Sequence, residues 1–131
     1  MVAFFTMACA PNASADSPAL VPVTITATYD FSTYPNVAGT FITSGALTIS
    51  GTSTMNIGAL GGPRGTVAHC VVTLVAPEGT IVIDQQCQFA SSPPRGRWEI
   101  VSGTGAYANL FGNGSLTMPP NQEAMTGYIY R

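Results

Sequence analysis

The side chains able to do chemistry are few: six carboxylates, one histidine and three cysteines among 131 residues, with the four cationic residues all arginine. The absence of lysine excludes Schiff-base catalysis and a phosphate-loop lysine. Cys9 lies in an apolar leader, so one histidine and two cysteines remain, too few for the usual four-ligand zinc site. No nucleophile–base–acid arrangement can be read from the spacing. A glycosidase would need two of the six carboxylates turned into one cavity, which the alternation of the strands does not support. Three features remain. Asp30 stands between two aromatics, Tyr29 and Phe31; Gln85 is an amide within a β-branched run; Cys70 and Cys87 flank a turn.

Composition narrows the classes further. Only 8% of residues are charged, where about 25% is usual, and the net charge is −2. Nucleic acid requires a basic face and an anionic membrane requires clustered Lys or Arg, so neither is expected as a partner. Apolar residues make up 46% of the chain, which argues against intrinsic disorder.

Residues 2–10 (VAFFTMACA) form a run too short to span a bilayer. The following Ala13-Ser14-Ala15 has the small-x-small pattern of a signal-peptidase site. This predicts a signal peptide over residues 1–15, a secreted (extracellular or periplasmic) product, and a single domain over residues 16–131. No Lys or Arg precedes the apolar run, so an unprocessed tail is the competing reading; a lipoprotein through Cys9 lacks the usual aliphatic residue three positions before it.

Period-2 alternation recurs along the rest of the chain and 3.6-residue periodicity does not. In residues 23–31, Val23, Ile25, Ala27, Tyr29 and Phe31 share one face, with Thr24, Thr26, Thr28 and Asp30 on the other. Residues 38–57 read as two or three short strands broken by Gly39, Gly45 and Gly51. Residues 66–75 and 81–89 form a hairpin, and residues 97–101, 114–118 and 124–130 supply three more strands. Eight or nine strands in 116 residues give a sandwich or a closed barrel. An all-β fold, a small closed antiparallel β-barrel of about eight strands, is favoured because closure removes edges that few charges guard.

If residues 77–80 are the hairpin loop, Cys70 and Cys87 lie directly opposite each other. An interstrand disulfide is then expected in an oxidising compartment, with two buried free thiols as the alternative. The same register sends Gln85, Cys87 and Phe89 inward, and His69 and Asp84 outward. Trp98 and Ile100 face inward, and Glu99 faces solvent. Tyr29, Phe31, Gln85, Phe89 and Trp98 are therefore the candidate ligand-lining residues. The alternative is that a barrel this small simply fills itself with side chains.

Residues 98–116 (WEIVSGTGAYANLFGNGSL) resemble the signature G-[TS]-G-x-[FY]-x-x-x-x-G of dirigent proteins and allene oxide cyclases, through Gly103, Thr104, Gly105, Tyr107 and Gly112. Glu78-Gly79-Thr80-Ile81 and Thr126-Gly127-Tyr128-Ile129 resemble two further pieces in the family's order, so the likeness covers about half of the expected mature chain. It implies an eight-stranded barrel with a hydrophobic cavity, no metal or organic cofactor, and association into homodimers or homotrimers. The activity implied is that of a cyclase, isomerase or stereochemical guide acting on a small apolar molecule. The family places an acid on the first strand after an aromatic, a spot that Tyr29-Asp30-Phe31 resembles; this makes Asp30 the candidate catalytic residue, although the alternation points it away from the cavity. A non-catalytic structural or protein-binding β domain with a filled interior is the other reading.

Overall fold

The computed structural model describes residues 19–131, so the expected signal peptide and its cleavage site lie outside the described residues. Eight strands follow one another: β1 (Val21–Asp30), β2 (Asn36–Gly45), β3 (Ser50–Ile57), β4 (Val67–Ala76), β5 (Gly79–Gln88), β6 (Arg95–Gly103), β7 (Phe111–Thr117) and β8 (Gln122–Tyr130). Each pairs antiparallel with its neighbour, and β8 pairs with β1, closing the barrel. Three-residue 3-10 turns at Phe31–Thr33, Pro63–Gly65 and Gly105–Tyr107 lie between strands. The expected fold class is the observed one.

The threonine-rich face of β1 is outside and the face of Val23, Ile25, Ala27 and Tyr29 is inside. An eight-stranded barrel has an interior just wide enough for side chains. Ile25, Met55, Val72, Ile83 and Met125 fill it, with 0–1% of their surface exposed.

Residues 38–57 are two strands, and Gly39 and Gly51 lie within them instead of breaking them. A Cβ on Gly39 would stand 1.7 Å from the Thr28 carbonyl oxygen on β1. The glycine therefore marks a place where a coiling strand brings backbone against backbone, as barrel closure demands.

The β4–β5 register also departs from expectation. The turn holds two residues, with Ala76 opposite Gly79 and Leu74 opposite Ile81. Gly79 at φ +151° adopts a backbone that other residues rarely take, so Thr80 joins the ladder directly. A two-residue shift leaves every side chain on its expected face and changes its partner. Cys70 consequently faces Gln85, and Cys87 faces Ala68.

Candidate functional site

Tyr29, Ser53, Gln85 and Glu123 gather inside the barrel toward the end where β1 stops and β8 starts, while the buried Thr43 lies apart, opposite Ile25. Glu123, the second residue of β8, lies opposite Ala27 and is 0% exposed. Neither of its carboxyl oxygens has a hydrogen-bond partner. Burial pushes its pKa up to about 8 from the ordinary 4.5; the Gln85 side chain, close enough to favour the charged form but outside good hydrogen-bond geometry, opposes the shift and Cys70 adds to it. At neutral pH the group is mostly a protonated acid, able to donate a hydrogen bond or a proton.

Around it stand neutral partners. The Tyr29 hydroxyl and Ser53 Oγ lie 2.6 Å apart. Burial, and then the Glu123 charge, hold the Tyr29 phenol protonated far above its usual range. Gln85 Nε2 donates to Met125 Sδ at 3.4 Å, and its Oε1 accepts from Cys87 Sγ at 3.8 Å. Sulfur is a weak partner, so the amide can exchange these contacts for a ligand oxygen at small cost. The arrangement offers an acid, a hydroxyl pair and an amide without a fixed charge.

The residues expected to form the site divide sharply. Tyr29 and Gln85 belong to the cluster. Trp98 is buried beside it, but its Nε1–H is shared between the carbonyls of Ser115 (3.0 Å) and Thr126 (3.1 Å), which leaves no donor for a ligand. Phe31 and Phe89 are half-buried at the barrel end, with the Phe31 ring edge-on to Tyr29 at 5.9 Å. Asp30 points into solvent and accepts from the Ser32 backbone N–H at 2.9 Å, capping the short turn that follows. That bond holds its carboxyl below the usual range, as an acid facing water.

Cys70 and Cys87 are free thiols, and the direct opposition on which a disulfide was expected does not occur. Diagonal positions on antiparallel strands sit about 7–8 Å apart, beyond the Cα spacing of about 4.4–6.8 Å that a disulfide prefers. The contact with Cys87 holds the Cys70 thiol below its ordinary pKa, while the same contact, and then burial, push the Cys87 thiol up. Alkylation of the unfolded, unreduced protein should label both residues, and labelling of the native fold should be slower by orders of magnitude. Mass spectrometry of the two samples checks this.

On the outer surface His69 Nε2 lies 3.5 Å from Asp84 Oδ1. A cleft of about 440 Å³ there is lined by Asp84, Gln86, Arg97, Glu99 and Asn113, beside Gln85 and Trp98. Among the described residues no group of three or more His, Cys, Asp or Glu side chains could hold a metal ion.

The reading of the sequence missed Glu123 and Ser53. The signal for Glu123 was present: Met125 and Ile129 mark the inner face of β8, and carrying the alternation one step back reaches position 123. Starting the strand at Ala124 removed the acid from view. The sequence matches no known family model and no curated protein.

Proposed function

We propose that this protein is a secreted, cofactor-free β-barrel that takes a small apolar molecule into its interior and acts on it as a cyclase or isomerase, in the manner of the allene oxide cyclases and dirigent proteins it resembles. The observation that carries the reading is the Glu123 carboxyl, fully buried without a hydrogen-bond partner. A buried polar group left unsatisfied costs about 1–3 kcal/mol. An aliphatic residue would fill the same place without that cost, which points to a chemical use for the acid.

In the proposed chemistry Glu123 donates its proton, or a strong hydrogen bond, to a ligand oxygen and takes a proton back as the product forms. The Tyr29–Ser53 pair and the Gln85 amide orient that oxygen. Ile25, Ile83 and Met125, which fill the interior and must repack to admit the ligand, then fold the remainder of the molecule and keep water out. Asp30 has no part in this, since it faces solvent. Cys70 and Cys87 stay as reduced, buried thiols, which burial protects in an oxidising compartment.

A structural domain with a filled interior is the second reading, and the close packing of the barrel favours it. The two separate in a binding experiment with the neutral dye N-phenylnaphthylamine, followed by NMR. Binding inside should move the Gln85 side-chain amide and the Glu123 carboxyl resonances. Shifts confined to the outer face, or no binding, would support the structural reading.

A further inference from the structure

The two ends of the barrel are closed differently. At the end formed by the β4–β5 turn, Tyr107 and Leu110 (3% exposed each) and Leu47 (7%) form a buried plug. That plug is stitched to the strands: Ala106 N–H donates to the Glu78 carbonyl at 2.9 Å and Thr104 N–H to the Thr80 carbonyl at 3.0 Å. The Thr80 and Thr104 hydroxyls lie 2.8 Å apart, and Ala46 N–H donates to the Pro22 carbonyl at 2.9 Å. Backbone hydrogen bonds stitch the other end as well, Phe89 N–H donating to the Thr66 carbonyl at 2.7 Å, Ile57 N–H to that of Pro35 and Met118 N–H to that of Pro94 at 2.8 Å each, so the ends differ in the burial of their closing side chains and not in their backbone.

At the opposite end the inner faces of β1 and β5 run out into Phe31 and Phe89, which are only half-buried against the core. Tyr29 lies two residues below Phe31, Cys87 two below Phe89, and Glu123 at the start of β8, so the polar cluster sits directly beneath these rings. The neighbouring connections are residues 58–66, with glycines at 58, 61, 62 and 65, and residues 89–94, which end in two prolines. Arg64 in the first of them sits at φ +62°, a conformation that non-glycine residues adopt at a cost.

Building on the reading that the interior takes a ligand, we propose that the barrel is entered at the end where β1 stops, and that the Phe31 and Phe89 rings admit and select what reaches Glu123. Rotating two half-buried phenyl rings disturbs less packing than displacing the buried Tyr107 and Leu110. Their apolar faces pass a neutral molecule and resist hydrated ions, which suits an interior without a fixed positive charge.

The test compares the full chain with F31A, F89A and, at the opposite end, L110A. Stopped-flow fluorescence measures how fast N-phenylnaphthylamine enters, and NMR follows the titration of the Glu123 carboxyl. Opening the proposed entrance should speed dye entry about tenfold or more, within the one to three decades over which association rates vary among variants of one site. It should also hydrate Glu123 and move its midpoint from about 8 toward 4.5. L110A should leave both readings near those of the native protein. Equal effects from all three variants, a larger effect from L110A, or no effect from the phenylalanine variants would overturn the proposal. Should the dye enter none of the proteins, the ligand-binding reading fails on its own; the Glu123 midpoint then decides the entrance, a fall confined to F31A and F89A upholding it and no fall overturning it. F31L and F89L keep apolar cover without the ring, and are read in the same way if the alanine variants do not fold.

Discussion

Glu123→Leu is expected to stabilise the barrel while removing its ability to act on a ligand. The side chain is 0% exposed and both carboxyl oxygens lack partners. Leucine removes that desolvation penalty and adds apolar contact with Ile25 and Met125, its neighbours on the inner wall. A gain of about 2–4 kcal/mol at pH 8 follows from the cost of an unsatisfied buried polar group and the larger cost of a buried charge. For a domain of this size that corresponds to a rise in melting temperature of roughly 8–20 °C. Chemical denaturation with and without the substitution measures it. Glu123→Gln keeps the shape and removes the proton, so it should bind apolar molecules and fail to turn them over. A leucine variant less stable than the native protein would mean that the carboxyl has a stabilising partner and would contradict a functional role for Glu123.

The second large effect is the dependence of stability on pH. The folded-state pKa of Glu123 is raised to about 8 from 4.5. Between those values the unfolded chain has lost the proton and the folded chain retains it, so the folded state binds more protons and stability falls as pH rises. The stabilisation is fully present below pH 4.5 and is lost through pH 8. The slope is about 1.4 kcal/mol per pH unit, which accumulates to roughly 4–5 kcal/mol across the window. Asp30 contributes in the opposite sense below its ordinary range, because its folded pKa is lowered and its stabilisation disappears on acidification. Between pH 5 and 8 the Glu123 contribution therefore dominates. Urea midpoints across this range should decline in the native protein and stay nearly flat in Glu123→Leu. A flat native profile would show that Glu123 ionises normally.

Much of the fold was legible because its signal is local. The alternation of Val23, Ile25, Ala27 and Tyr29 with three threonines identifies β1 and its inner face without further information. The inward direction of Gln85, Cys87 and Trp98 followed from the same rule. Register was harder, since it depends on the length of a turn: whether Gly79 ends the loop or begins β5 decides which residue faces Cys70, and both choices leave the hydrophobic pattern intact. The interior glycines misled for a related reason. Gly39 and Gly51 look like strand breakers until the neighbouring strand is seen pressing its carbonyl into the space that a Cβ would take. The site was least legible. Attention to the acid beside two aromatics favoured Asp30, which the alternation itself turned outward. Glu123 follows Gln122 and a proline-containing turn, one position before the alternation of β8 becomes recognisable in the sequence. The Ser53–Tyr29 contact joins residues 24 positions apart and exists only once β1, β2 and β3 are in register.

One acid kept neutral inside the barrel carries the proposed chemistry. Carbon-13 NMR of the side-chain carboxyl of Glu123, followed from pH 3 to 10 in the full chain, measures that directly. A midpoint near 8 is expected, with the Tyr29 and Gln85 signals moving through the same titration. A midpoint near 4.5 would mean that the carboxyl is hydrated or paired, and would contradict the assignment of Glu123 as the functional acid.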